Sequence, residues 1–257
     1  MIRCDKCNKE YSDIFEVCPH CGNIRKSKDK VGYHLNPGTV LCDRYYIMSV
    51  VGYGGFGIVY KALDTRLNIE IAIKEHYPSG LASRIPGSNH VIPLNNDKSN
   101  HYKNLLSRFL EEAKTMAKFS SHPNIAHVFN FFEENDTAYI VMEYLDGITL
   151  KDYVRKQDNN RVSIEKAVEI VSDVSRILEE MHKHGFIHRD ISLDNIHICS
   201  NGKIKIYDLG STRLSKGDYS SDLSVLIKPG FAPPEQYRTH SKQGPWTDVY
   251  ALSATLY

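Results

Sequence analysis

The feature that most constrains the fold is a glycine-rich run that is followed by a strand. The run G-Y-G-G-F-G connects two segments rich in Tyr, Ile and Val, residues 44–51 and 58–63. A dinucleotide-binding fold requires a helix after such glycines, whereas the residues that follow here are β-branched and aromatic. The run is therefore predicted to be the flap of a β-hairpin, whose backbone amides can approach phosphates closely. Its glycines are Gly52, Gly54, Gly55 and Gly57.

A lysine lies on the next predicted strand, residues 70–75. Strand alternation places Ala72 and Lys74 on one face and Ile71 and Ile73 on the other. A lone lysine on a strand normally faces solvent. Because this lysine lies one strand beyond a phosphate-type flap, we predict that it contacts a phosphate.

A polar loop with the sequence I-H-R-D-I-S-L-D-N occupies residues 187–195. Asp190 could accept a proton from a hydroxyl nucleophile, and Asn195 could give a neutral oxygen to a hard cation such as Mg²⁺. A strand at residues 204–207 then ends at Asp208-Leu209-Gly210. The loop is predicted to be the chemical centre of the chain.

In this order the motifs resemble those of bacterial protein kinases of the eukaryotic-like Ser/Thr class, from about residue 37 onward. The resemblance implies an α+β, two-lobed protein-kinase-like fold, with a β-rich N-lobe at residues 38–145 and an incomplete helical C-lobe at residues 146–257. It also implies transfer of the γ-phosphate of ATP to Ser or Thr hydroxyls of protein substrates, together with autophosphorylation. The alternative is a pseudokinase or an inactive truncated kinase that acts as a binding module.

The resemblance assigns roles to the polar residues. Asp190 would orient and deprotonate the hydroxyl, Asn195 and Asp208 would hold Mg²⁺, and Lys74 would hold the α- and β-phosphates of ATP. The partner of Lys74 is predicted from helical phase to be Glu112 rather than Glu111.

That phase comes from the predicted helix at residues 103–119. Its apolar stripe is formed by Phe109, Ala113, Met116 and Ala117. Glu112 lies along the stripe, whereas Glu111 is rotated away from it.

The resemblance also implies a nucleotide pocket. Met142 would be its gatekeeper, and the residues after it would be a hinge whose backbone binds the adenine edge. His197 stands where the family usually has an apolar floor under adenine, so that it either stacks on the base or is partly exposed. The implied nucleotide contacts are Gly52, Gly54, Gly55, Gly57, Val59, Ala72, Lys74, Met142, Glu143, Leu145 and His197.

Two departures from the family pattern meet at the proposed site of transfer. Ser192 stands where these kinases commonly have a lysine, and Lys228 stands where they commonly have a threonine. One hypothesis is that Lys228 reaches back towards Asp190 and supplies the missing cation. The other is that Lys228 is a solvated residue of the substrate site.

Two further regions carry expectations. Arg189 is typical of kinases switched by phosphorylation of the activation segment, and we expect autophosphorylation among Ser220, Ser221 and Ser224. An insertion at about residues 77–102, rich in Pro and Gly, is expected to be irregular.

The N-terminal segment contains two C-x-x-C pairs, which predict a structural zinc ribbon at residues 1–23. Four thiolates fill a tetrahedral site, so this module is expected to serve structure or docking of a protein partner. A linker is expected at residues 24–37. The predicted Zn²⁺ ligands are Cys4, Cys7, Cys18 and Cys21.

Composition narrows the class of protein further. The formal net charge is +1, which gives no reason to expect nucleic acid as a partner. The sequence has no apolar run long enough for a membrane span and no apolar signal region, so that it reads as cytoplasmic. It stops inside an apolar helix, from which a truncated C-lobe is expected.

Overall fold

The computed structural model of the chain describes residues 2–3, 9–11, 19–21, 33–55, 57–85, 87–94, 96–119, 122–207, 213–214, 228–238 and 241–256. The chain divides into two compact units, Met1–His34 and Leu35–Tyr257.

In the first unit, strand β1 (Ile2–Arg3) pairs antiparallel with β2 (Glu10–Tyr11), on either side of the segment that contains Cys4 and Cys7. Cys4, Cys7 and Cys18 lie outside the described residues, so the predicted zinc site stays a prediction. Within the parts of the chain that the structure describes, no group of three or more His, Cys, Asp or Glu side chains could hold a metal ion.

The second unit begins with a six-stranded antiparallel sheet, in the order β3-β4-β5-β6-β10-β9. The predicted flap is the turn between β4 and β5, and Lys74 pairs in register with Val59 across β5 and β6. The strands are β3 (Val40–Leu41), β4 (Tyr45–Gly54), β5 (Gly57–Asp64), β6 (Ile69–His76), β9 (Val128–Glu134) and β10 (Thr137–Glu143).

The expectation that the insertion at residues 77–102 is irregular is wrong in part, because it contains regular secondary structure. It contains a short hairpin of β7 (Ala82–Arg84) and β8 (Val91–Pro93), and helix α1 (Asn96–Lys118) already begins within it. These strands were not predicted because each has only three residues, which is too short for alternation to be recognised among the surrounding Pro and Gly residues.

The hairpin covers a buried carboxylate on the sheet. Glu75 is fully buried, and Arg84 Nη2 lies 2.6 Å from its carboxylate oxygens. The hydroxyls of Tyr60 and Tyr139 donate to the same carboxylate at 2.7 and 2.8 Å. A buried carboxylate without such partners would be strongly destabilising, so the insertion and the sheet depend on each other.

Helix α1 packs on β9 and β10 with Phe109, Ala113 and Met116 buried. The expected fourth member of the stripe, Ala117, is exposed and lies at the solvent edge of the packed face.

The rest of the unit is a helical lobe. Helix α3 begins after Ser163, whose side chain accepts a hydrogen bond from the Lys166 amide, and it buries one apolar stripe into the core. The helices are α2 (Leu150–Arg155), α3 (Ile164–Lys183) and α4 (Pro245–Leu256), with 3₁₀ turns at Asp158–Asn160 and Pro234–Tyr237. The short strands are β11 (Gly147–Thr149), β12 (Phe186–Ile187), β13 (Ile196–Cys199), β14 (Ile204–Ile206) and β15 (Arg213–Leu214).

One apolar core connects the sheet to the helices. It joins Ala72 and Met142 of the sheet and Met116 of α1 to Val174 of α3 and Leu252 of α4. Among the helices that the structure describes, none is long and apolar enough to cross a membrane.

Candidate active site

The polar loop at residues 188–195 is held by one carboxylate. Asp248, in the first turn of α4, is fully buried, and it accepts hydrogen bonds from the amides of His188 at 2.9 Å and Arg189 at 2.7 Å. The ring of His182, at the end of α3, lies 2.7 Å from the same carboxylate. Arg189 has a φ of +71°, a backbone conformation that costs about 1–3 kcal/mol for a residue other than glycine. Asp248 therefore stabilises the strained turn that presents Asp190.

Asp190 and Asn195 are joined directly. The Asn195 side-chain nitrogen donates to the carbonyl oxygen and to one carboxylate oxygen of Asp190, both at 2.8 Å. The carbonyl branch of the Asn195 amide therefore points away from Asp190. A neutral oxygen in that orientation fits a hard cation such as Mg²⁺.

The ion pair predicted from helical phase is present. Lys74 Nζ lies 2.7 Å from Glu112 Oε1, and both residues are buried. Glu111 is exposed and pairs instead with Lys114 on its own helix.

The environment of this ion pair is apolar on the side of His76. The His76 ring contacts the rings of Tyr102 and Phe109. Burial, reinforced by the charge of Lys74, lowers the pKa of His76 to about 4. The imidazole is therefore neutral at pH 7 and adds no second positive charge beside the lysine.

The flap approaches the neighbouring strand closely. A Cβ atom on Gly57 would lie 2.1 Å from the carbonyl oxygen of Glu75, so only glycine fits there. Around Gly52 and Gly54 a Cβ atom would meet nothing within 4 Å. The Gly55 carbonyl accepts a hydrogen bond from the Ser79 amide at 3.0 Å, which ties the flap to the insertion.

The predicted walls of the nucleotide pocket lie together. Ala72 and Met142 belong to the apolar core, and Val59 and Leu145 pack against it. The Glu143 amide donates a hydrogen bond to the His127 carbonyl at 2.8 Å. The Glu143 carboxylate accepts hydrogen bonds from Lys205 Nζ at 2.6 Å. The Glu143 side chain is thus engaged by β14, so that a nucleotide contact at this residue would involve its backbone carbonyl.

His197 occupies a half-buried position on β13, next to the hinge. Its ring lies edge-on to Tyr207 at 6.1 Å between centroids. Burial lowers the pKa of His197, although the charge of Asp146 and backbone groups of Leu145 and Asp146 oppose the shift. Among the described atoms, its buried Nε2 has no hydrogen-bond partner. A neutral ring in this place can present an aromatic face to a base.

Lys228 reaches the loop, as one of the two hypotheses requires. Its Nζ donates to the Ser192 hydroxyl at 2.7 Å and lies 2.5 Å from Asp194 Oδ2. Lys151 contacts the other oxygen of Asp194 at 2.8 Å. Burial alone would raise the pKa of Asp194, but hydrogen bonds from Lys151 and Lys228 hold it below its ordinary value.

The supporting contacts beneath the loop were not predicted from the sequence, and among them are the hydrogen bonds to the Asp248 carboxylate. The Thr247 hydroxyl donates to the Glu235 carboxylate at 3.0 Å. The Gln236 side chain donates to the Arg189 carbonyl at 2.9 Å. An aspartate in an otherwise apolar helix was the available signal.

Several predicted residues lie outside the described parts of the chain. These are Asp208 and the predicted phosphorylation sites Ser220, Ser221 and Ser224.

A sheet lobe with a glycine flap and a buried lysine–glutamate pair, joined to a helical lobe with an Asp–Asn loop, defines a protein kinase domain. The family profile described as "Protein kinase domain" matches residues 45–257, and the chain belongs to this family. Curved antiparallel strands followed by helices are the fold that the family profile implies.

Named relatives place the domain among bacterial Ser/Thr kinases. It is 31% identical over 221 residues to the probable serine/threonine-protein kinase PknB of Lactococcus lactis, covering 86% of this chain and 32% of the relative. It is 32% identical over 223 residues to the serine/threonine-protein kinase PrkC of Bacillus subtilis, covering 86% and 31%. The chain thus spans about a third of the length of these curated relatives.

A solved structure, described as the apo form of PpkA-294, is also similar. It has a TM-score of 0.76 and 37% sequence identity, over 87% of this chain and 77% of that one.

The two neighbouring glutamates of α1 provide a matched test of the ion pair. Glu112→Gln should weaken ATP·Mg²⁺ binding or turnover by at least about tenfold, because it removes the negative charge of Glu112 beside a buried ammonium. Glu111→Gln removes only an exposed pair and should change either quantity by less than about threefold. Titration with ATP·Mg²⁺ and steady-state kinetics measure both effects. Equal effects of the two substitutions would contradict the assignment.

Proposed function

We propose that this chain transfers the γ-phosphate of ATP to Ser or Thr hydroxyls of protein substrates, including its own. The observation that carries the proposal is that the Lys74–Glu112 ion pair and the Asp190–Asn195 loop are both assembled within one compact unit. Because its phosphate donor is ATP, the domain is proposed to act in the cytoplasm.

Asp190 would do the proton chemistry. Its carboxylate is partly exposed and held by Asn195, so that it can accept a hydrogen bond from an incoming hydroxyl. The substrate oxygen forms a bond to the γ-phosphorus while the bond from that phosphorus to the β,γ-bridging oxygen breaks. The electron pair of that bond stays on the departing ADP, and the hydroxyl proton passes to Asp190.

Lys74, fixed by Glu112, would orient the α- and β-phosphates beneath the flap. Asn195, through the amide oxygen that points away from Asp190, and Asp208 would hold Mg²⁺. When bound, this ion neutralises the charge that builds up on the phosphate oxygens.

The alternative function is a pseudokinase that serves as a binding module. A chain of that kind could tolerate loss of any member of the site. The formed Lys74–Glu112 pair and the retained Asp190 favour the enzyme.

Asp190→Asn tests the proposed reaction. Transfer of labelled γ-phosphate to a protein acceptor should fall by about 10²–10⁴-fold, since the amide cannot take the proton. The residual rate should vanish when Mg²⁺ is removed.

Peptide mapping of the wild-type product should locate label among Ser220, Ser221 and Ser224. Equal labelling by wild type and variant would refute Asp190 as the base, and no labelling by wild-type chain would favour the binding module.

We also propose that Cys4, Cys7, Cys18 and Cys21 bind a structural Zn²⁺ and that this ribbon docks a partner protein. The support is their spacing as two C-x-x-C pairs in so short a segment, together with the β1–β2 hairpin that flanks the first pair. We expect elemental analysis to find one zinc ion per chain in the wild type. The double variant Cys4→Ser/Cys7→Ser should have lost this zinc. A metal-free wild-type chain purified without chelators would rule the site out.

A further inference from the structure

The loop that carries Asp190 has an unusual source of positive charge. Ser192 is fully buried, and its hydroxyl accepts a hydrogen bond from Lys228 Nζ at 2.7 Å, although the two residues are 36 positions apart. The Lys228 ammonium thus reaches a point two residues beyond Asp190, in a loop whose geometry Asn195 fixes.

The ammonium is positioned by more than one contact. It lies 2.5 Å from Asp194 Oδ2, and its own backbone is constrained because the Lys228 carbonyl accepts from the amides of Phe231 and Ala232 at 3.1 Å. Lys151 contacts the other oxygen of Asp194, so the two lysines do not compete for one acceptor atom. Lys228 is therefore held in place rather than free in solvent.

The same contacts leave the ammonium able to bind a ligand. A lysine ammonium has three donors, and hydrogen bonds to Ser192 and Asp194 account for two of them in the described structure. The side chain is 31% exposed, so the described structure covers it only in part. A solvated surface lysine would have neither the buried hydroxyl nor the shared carboxylate.

We propose that Lys228 is a catalytic residue that contacts the transferring phosphoryl group, and that Ser192 positions it. The inference rests on the proposed function, and it assigns to the chain segment before the Pro234–Tyr237 turn the positive charge that Ser192 does not supply at its position in the loop. Lys228 makes and breaks no covalent bond. It offsets the negative charge on the phosphoryl oxygens while the bond to the acceptor oxygen forms, the bond to ADP breaks and Asp190 takes the proton.

Lys228→Met tests this proposal by its effect on kcat. Loss of a preorganised positive charge should lower kcat by about 100-fold or more. The KM for ATP should change by less than about threefold, because the interaction matters chiefly in the transition state. Lys151→Ala is the matched control, since it removes the other lysine on Asp194, and kcat should stay within about fivefold of wild type. Equal losses in the two variants would show that only the ion-pair cluster matters, and this would overturn the proposal.

A reciprocal exchange separates catalysis from structure. Ser192→Lys combined with Lys228→Thr returns the ammonium to the loop from the other side, and it should recover at least about tenfold of the kcat lost in Lys228→Met. Ser192→Ala keeps Lys228 but removes its positioning hydroxyl, and it should lower kcat by about threefold to tenfold.

Thermal unfolding of each variant checks that the domain is folded. A folded exchange variant no faster than Lys228→Met would contradict the proposal, as would a Lys228→Met enzyme with wild-type kcat. Both outcomes are distinct from failure of the proposed function, in which the wild-type chain itself would show no transfer.

Discussion

The structure of the active site depends on the buried carboxylate of Asp248. It binds two successive amides of the loop, those of His188 and Arg189, and it contacts the ring of His182 at the end of α3. Hydrogen bonds from amides to a carboxylate are stronger than neutral ones, and here they compensate the positive φ of Arg189. If this turn relaxed, Asp190, Asn195 and Ser192 would all lose their relative positions, because they follow directly in the chain.

The sheet lobe also contains buried charges, those of Lys74 and Glu75 on β6. From Ile71 onward strand β6 is buried on both faces, so the charged residues in this part of the strand need partners. Lys74 finds Glu112 on α1, while Glu75, on the opposite face, finds Arg84 of the insertion and two tyrosines. Residues adjacent in sequence thus connect the face of the sheet that carries Lys74 to the inserted hairpin. The Ser79–Gly55 hydrogen bond extends this connection to the flap.

Local pattern predicted the strands on either side of the flap, the strand of Lys74 and the helix of Glu112, because each depends on periodicity or glycine spacing. The hinge and the helical lobe were implied by the family resemblance. Helical phase distinguished Glu112 from Glu111, and an unusual residue pair drew attention to Lys228. The Arg84–Glu75 pair and the Asp248 anchor were beyond this reasoning. The strand that carries Arg84 has three residues, and Asp248 lies 59 positions from Arg189, so neither contact leaves a local signature.

The most direct test of this account is amide hydrogen exchange in Asp248→Asn, which keeps the side-chain shape but loses the carboxylate. The amides of His188 and Arg189 should exchange at least about tenfold faster than in wild type, because their acceptor is weakened and the strained turn opens. Amides of β6 should keep their protection, and phosphoryl transfer should fall with the loss of loop order. Unchanged protection of these two amides in a folded variant would contradict the central role of Asp248.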